Sequence, residues 1–165
     1  KHLGPAGMCV VIVRQELLNR PGGRAPAILD YRFMAAENSM GNTPPTFAWY
    51  LTGLVLKWLR RQGGVAHIAE LNQAKAARLY RAIDASEFYS NRVAPACRSW
   101  MNVPFTLARP ELDPLFLDEA ARARLINLRG HRSVGGMRAS LYNAMPLAGV
   151  DALVAFMDDF ARRHH

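Results

Sequence analysis

Three short stretches of this 165-residue chain concentrate groups that can do chemistry. The first is Lys1 with the turn Gly4-Pro5-Ala6-Gly7 behind it, although residue type alone makes this lysine a solvated cation. The second is Gly41-Asn42-Thr43-Pro44-Pro45-Thr46, where Thr43 stands before Pro44 at an expected helix start. A hydroxyl and free backbone N–H groups would gather there at the positive end of a helix dipole, which suits an anion and equally suits a plain helix cap. The third is His131 to Arg138, with two arginines and a histidine around the flexible pair Gly135-Gly136. In a regular strand Arg132 and Arg138 would share one face, and two guanidinium forks fit a ligand with two anionic ends. Exposed arginines on a solvated strand are the plainer alternative.

Other chemistries are excluded by motif. The chain has no Gly-x-Ser-x-Gly, His-Glu-x-x-His, Walker loop or Gly-x-Gly-x-x-Gly. Cys9 and Cys97 have no metal-ligand spacing and form no disulfide framework, so no metal is expected. Two reduced thiols and no cleavage pattern before Met8 point to a cytoplasmic protein.

The elements that must position these groups follow from hydrophobic periodicity. The continuous run Met8 to Val13 predicts a strand covered on both faces. Residues 19–45, rich in Gly, Pro and Asn, predict a long ordered excursion. Thr46 to Gln62 carries Phe47, Tyr50, Leu51, Leu54, Val55, Trp58 and Leu59 at helical spacing and stops at Gly63-Gly64. Val65 to Ile83 predicts an amphipathic helix with Ile68, Leu71, Leu79, Ala82 and Ile83 on one stripe. Lys75 interrupts that stripe and is expected to lay its stem along the core edge with the ammonium in water. Ser99 to Leu107 reads as a strand, with Pro104 implying an edge or a bulge. Pro110 to Leu128 reads as helical in its centre, Val134 to Tyr142 as a strand, and Leu147 to Arg163 as a helix with Val150, Leu153, Val154, Met157 and Phe160 inward. A domain boundary is expected at the glycines, dividing the chain into 1–64 and 65–165.

Composition is that of a globular protein: 50% of residues are hydrophobic and 21% charged, and no apolar run is long enough to span a membrane. The 21 Lys and Arg against 13 Asp and Glu leave a net charge of +8. The basic residues come at most in pairs without interleaved aromatics, which argues against nucleic acid and a membrane face and for diffuse solvated charge. The chain opens on Lys1 and runs at once into a buried-looking strand, so it reads as a piece of something longer.

Taken together, Lys-His-Leu-Gly-Pro-Ala-Gly (1–7), Asn-Thr-Pro-Pro-Thr-Phe-Ala-Trp-Tyr (42–50), Met-Asn-Val-Pro-Phe (101–105) and Gly-His-Arg-Ser-Val-Gly-Gly-Met-Arg-Ala-Ser-Leu-Tyr-Asn-Ala-Met-Pro (130–146) resemble the phosphoserine aminotransferases. These are class V members of the fold type I pyridoxal-phosphate transferases, and the fold class the resemblance implies is α/β. The resemblance runs end to end and implies the C-terminal half of such an enzyme: the end of the large cofactor domain (1–64) and a small α+β domain (65–165). It implies that Lys1 carries pyridoxal 5′-phosphate as a Schiff base and moves the proton between the substrate Cα and C4′ of the cofactor. Asn42 and Thr43 would reach the cofactor phosphate of the neighbouring subunit in a homodimer with a shared active site. Arg138 would clamp the substrate α-carboxylate, and His131 and Arg132 would lie near the phosphate of phosphoserine or the distal carboxylate of glutamate. The implied reaction exchanges an amino group between glutamate and 3-phosphooxypyruvate, giving phosphoserine and 2-oxoglutarate, with 4-phosphohydroxythreonine as a second substrate. The N-terminal half of the same enzyme is an implied partner. A non-catalytic anion-binding module on the same fold, or a class V aminotransferase of other specificity, are the alternatives.

Overall fold

The computed structural model describes residues 2–18 and 26–164. They fall into two compact units that meet in sequence between Arg61 and Gln62.

In the first unit, α1 (Gln15–Leu18) and α2 (Tyr31–Ala36) are short, and α3 (Thr46–Arg61) is the one long element. The Asp30 carboxylate accepts from the backbone N–H of Arg32 at 2.9 Å and so caps α2. Gly4, at φ +143°, packs against Thr52 of α3, where a Cβ would stand 2.8 Å from the Thr52 hydroxyl. That contact holds the glycine-proline turn on the helix. The helix itself follows the predicted periodicity, but its expected inner face does not: Phe47 and Tyr50 are exposed, and the buried positions are Ala48 and Thr52.

Met8 to Val13 forms no strand, which corrects the reading from sequence. Ile12 is 95% exposed, and Val10 and Val11 are also exposed. A strand exists through its ladder partners, and no described segment of this unit supplies one. Of the excursion 19–45, residues 19–25 lie outside the described part. The remainder is ordered into a 3₁₀ turn (Ala27–Leu29) and α2.

The second unit carries the core. α4 (Gly64–Asp84) and α6 (Leu147–His164) pack beside each other over one face of a three-stranded antiparallel sheet in the order β1-β2-β3. The strands are β1 (Tyr89–Ser90), β2 (Asn102–Leu107) and β3 (Met137–Ser140), and α5 (Asp113–Arg122) lies between β2 and β3 in the chain. Alternation along β2 and β3 turns Val103, Phe105, Leu107, Met137 and Ala139 into the core. There they join Leu79, Ile83 and all five predicted inward residues of α6. Phe88, Tyr89, Phe105, Phe116, Phe156 and Phe160 pack largely edge to face.

Three local readings change. β2 is the central strand of the sheet, so Pro104 is not on an edge strand. It is tolerated because the backbone N–H of Arg138, its opposite number, points the other way and donates to Leu128 O at 2.7 Å. Pro104 thus faces the flank that β1 no longer covers, since β1 pairs only with Thr106 and Leu107. The strand predicted from Val134 begins only at Met137, because His131 to Val134 is a turn. Finally, Lys75 does not reach water: it is 2% exposed, and Leu71 of the predicted stripe is exposed instead.

Candidate active site

The face of the small sheet turned away from the core carries the first predicted site residue. With Met137 and Ala139 turned inward, Arg138 and Ser140 must face the other way, opposite Pro104 and Asn102 of β2. Arg138 is half-buried there, forms no ion pair with a described residue, and leaves its Nε buried without a hydrogen-bond partner. Such a guanidinium is available to an incoming carboxylate. From Ala120 to Val150 the sequence has five arginines and not one Asp or Glu, so no neighbour in the chain competes for it.

His131 and Arg132 sit at the tip of a hairpin whose base carries Arg138. The base is closed by the Gly130 N–H on Gly136 O at 2.8 Å and by an Arg129–Met137 bridge. A side chain at Gly130 would collide with the Gly135 carbonyl, and Gly136 has φ +60° close to Phe105 O, so glycine is required at both positions. At the tip, His131 and Arg132 are exposed. The Ser133 backbone N–H donates to His131 Nδ1 at 3.3 Å, and the Ser133 hydroxyl lies 2.7 Å from the same nitrogen. Arg132 and Arg138 therefore belong to a turn and a strand respectively, and not to one face of a regular strand as the spacing suggested.

In the first unit, Asn42 and Thr43 are exposed in the segment leading to α3, and neither side chain bonds a described residue. The helix starts at Thr46, with Pro45 O accepting from Trp49 N at 3.0 Å, so Thr43 stands ahead of the helix and does not cap it. Gly41 fixes the approach, since a Cβ there would collide with the Phe33 ring. Lys1 lies outside the described residues.

Comparison with known proteins adds the family. The profile of the family described as Aminotransferase class-V matches residues 1–153. The chain belongs to the class-V aminotransferases.

Solved structures similar to this class-V chain include a phosphoserine aminotransferase described for radiation damage of its Schiff base, 43% identical with a TM-score of 0.94. That match covers 99% of this chain and 46% of the other. Phosphoserine aminotransferase from Bacillus circulans subsp. alkalophilus is 42% identical, with a TM-score of 0.94 over 100% of this chain and 46% of its own. The enzyme from Trichomonas vaginalis, solved with PLP bound, is 41% identical, with a TM-score of 0.83 over 88% of this chain and 42% of its own. The chain thus spans less than half the length of these proteins. Its mixed α/β architecture is that of this part of a fold type I enzyme.

Sequence reasoning missed two residues of this class-V chain that the structure brings forward. Lys75 of α4 donates to Tyr142 O and Met145 O, each at 2.9 Å, and to Leu141 O at 3.4 Å, on the segment that follows β3. Burial holds its ammonium below the usual lysine range. Asn72, one turn earlier, donates to Asn143 Oδ1 at 2.9 Å. The signal for Lys75 was its break in the apolar stripe. The second is Asn102, which shares a sheet face with Arg138 and buries an Oδ1 unpartnered among the described residues; its signals were its place beside Val103 in a strand of alternating pattern and in the motif Met-Asn-Val-Pro-Phe. No helix among the described residues is long and apolar enough to cross a membrane, and no cluster of metal-ligating side chains occurs among them.

Proposed function

We propose that the full-length protein containing this chain is a pyridoxal-phosphate-dependent phosphoserine aminotransferase, transferring the amino group reversibly between L-glutamate and 3-phosphooxypyruvate. The observation that carries this reading is Arg138, a half-buried guanidinium with no ion-pair partner among the described residues, in a class-V chain with phosphoserine aminotransferases as its structural neighbours. Every amino acid presents an α-carboxylate, and Arg138 would bind it through two parallel hydrogen bonds. His131 and Arg132, exposed at the hairpin tip, would take the second anion, which is phosphate in phosphoserine and carboxylate in glutamate. One histidine–arginine pair serves both because both groups are oxyanions and meet the same N–H donors.

The residues present suit the cofactor as well. Asn42 and Thr43 have side chains uncommitted within the described residues, and a neutral amide and a hydroxyl can both donate to a phosphate. Lys1 would hold pyridoxal phosphate and carry the proton between Cα and C4′. When bound, the cofactor supplies the electron sink that lets Cα lose its proton. In this reading residues 1–64 finish the large domain, 65–165 form the small one, and the active enzyme is a homodimer in the service of serine or pyridoxine biosynthesis. Cys9 and Cys97, both free and exposed, suit the cytoplasm.

Substrate discrimination tests the assignment in the full-length holoenzyme. Arg132→Ala is expected to weaken phosphoserine by about 10- to 100-fold, the worth of a lost charged hydrogen bond of ~1.5–3 kcal/mol, while sparing alanine-like donors. Arg138→Ala is expected to weaken every amino acid. Equal losses for all donors in both variants would refute separate roles.

A further inference from the structure

Two buried polar atoms on the face of the small sheet turned away from the core have no hydrogen-bond partner among the described residues: Oδ1 of Asn102 and Nε of Arg138. One is an acceptor and the other a donor, and buried polar groups are normally paired. They stand on the same face. Asn102 is opposite Ser140 and Arg138 is opposite Pro104, so Asn102 and Arg138 are diagonal neighbours across β2 and β3. Diagonal neighbours in an antiparallel pair are about 7–8 Å apart at the backbone, a gap a long side chain can bridge. The Asn102 backbone is fixed independently, because its N–H donates to Ser99 Oγ at 3.2 Å.

An arginine can meet a carboxylate by either of two edges, the end formed by Nη1 and Nη2 or the side formed by Nε and one Nη. An acceptor on Nε removes the side-on choice and leaves the end. We propose that Asn102 is a positioning residue for Arg138: its Oδ1 accepts from Arg138 Nε when substrate binds, so that the guanidinium meets the α-carboxylate end-on through Nη1 and Nη2. This rests on the reading of Arg138 as the α-carboxylate site. It explains why an amide, which adds no charge, faces the arginine: an Asp or Glu there would neutralise the guanidinium and compete with the substrate.

Asn102→Ala and the nearly isosteric Asn102→Leu, each in the full-length holoenzyme, test the idea, the second guarding against a packing defect in the first. Both are expected to raise KM for glutamate and phosphoserine alike by about tenfold, with kcat changed less than about twofold. Binding of 2-oxoglutarate, which has no amino group to transfer, is expected to weaken by the same factor in calorimetry. Arg138→Lys is also expected to raise these constants, because lysine has no N–H at the Nε position and no fork. In the Arg138→Lys background, Asn102→Leu is expected to have no further effect, since residues acting through one another are not additive. Full additivity, or unchanged KM and Kd with only a lowered melting temperature, would overturn the positioning role. If Arg138→Lys itself leaves KM and Kd unchanged, the reading of Arg138 falls first, and that result is distinct from failure of Asn102 alone.

Discussion

At the scale of single residues, Lys75 shows how a charge can be buried without a counter-ion. An ammonium has three donors and no acceptor, and all three are spent on main-chain carbonyls of Leu141, Tyr142 and Met145. These carbonyl dipoles offset part of the cost of desolvation, and the bonds tie α4 to the segment between β3 and α6. Lys75→Met keeps the stem but leaves the carbonyls without donors. Two of them are only part-buried and can be rehydrated, so the expected loss is about 1–3 kcal/mol and not the sum of three full penalties. The urea midpoint of the full-length protein measures it. An unchanged midpoint would mean that water replaces the ammonium without loss.

At the scale of elements, α4 ends on Asp84, an unfavourable place for a negative charge beside the free carbonyls of a helix terminus. Arg98 compensates by gripping both carboxylate oxygens, at 2.6 and 2.8 Å, while its guanidinium lies 4.6 Å from the Tyr80 ring centroid. The hydrogen bonds from Arg98 hold the Asp84 carboxyl below its ordinary 3.8. A carboxyl depressed on folding contributes stability above its unfolded value and loses it as pH falls through its folded value. Asp84→Asn is therefore expected to destabilise near neutral pH, by about 1 kcal/mol or less because the carboxylate is 49% exposed. That difference should vanish well below pH 3.8, and urea midpoints of the two proteins across the acid range read it directly. A difference independent of pH would assign the effect to something other than the ion pair. The same scale shows what the sequence made legible. α3, α4 and α6 announce themselves through a 3.6-residue period, and every inward residue expected of α6 is buried. Met8 to Val13 misleads because an apolar run implies burial and a strand, and both need neighbours that no local pattern contains; among the described residues Val10, Val11 and Ile12 stay exposed. β1, two residues long, has no period to detect. The turn at His131 to Val134 overrides strand alternation because Gly130 and Gly136 close a hairpin beneath it. Asn42 and Thr43 stand in a segment without regular structure, and only the family resemblance gives them a role.

At the scale of the whole molecule, the proposed division of labour between subunits makes a quantitative forecast. If Asn42 and Thr43 serve the neighbour's cofactor, a full-length variant lacking Lys1 and another crippled at Asn42 and Thr43 are each inactive alone. Unfolded together and refolded, about half of the dimers are mixed, and each mixed dimer regains one intact site, so about a quarter of the sites recover by symmetry. No recovery, with mixed dimers shown to be present, would place all three residues in one subunit's site.

The hairpin from Leu128 to Arg138 has a wider consequence. Its base is locked by Gly130 N–H on Gly136 O and by Arg138 N–H on Leu128 O, while residues 131–135 hang beyond the lock. In the proposed enzyme, what all amino acids have in common is handled below the lock and what distinguishes them is handled above it. The tip can be rewritten, in evolution or by loop exchange, without disturbing the grip on the shared end of the substrate. On that proposal a change of substrate would need only a few codons, provided the glycines on either side of them stay.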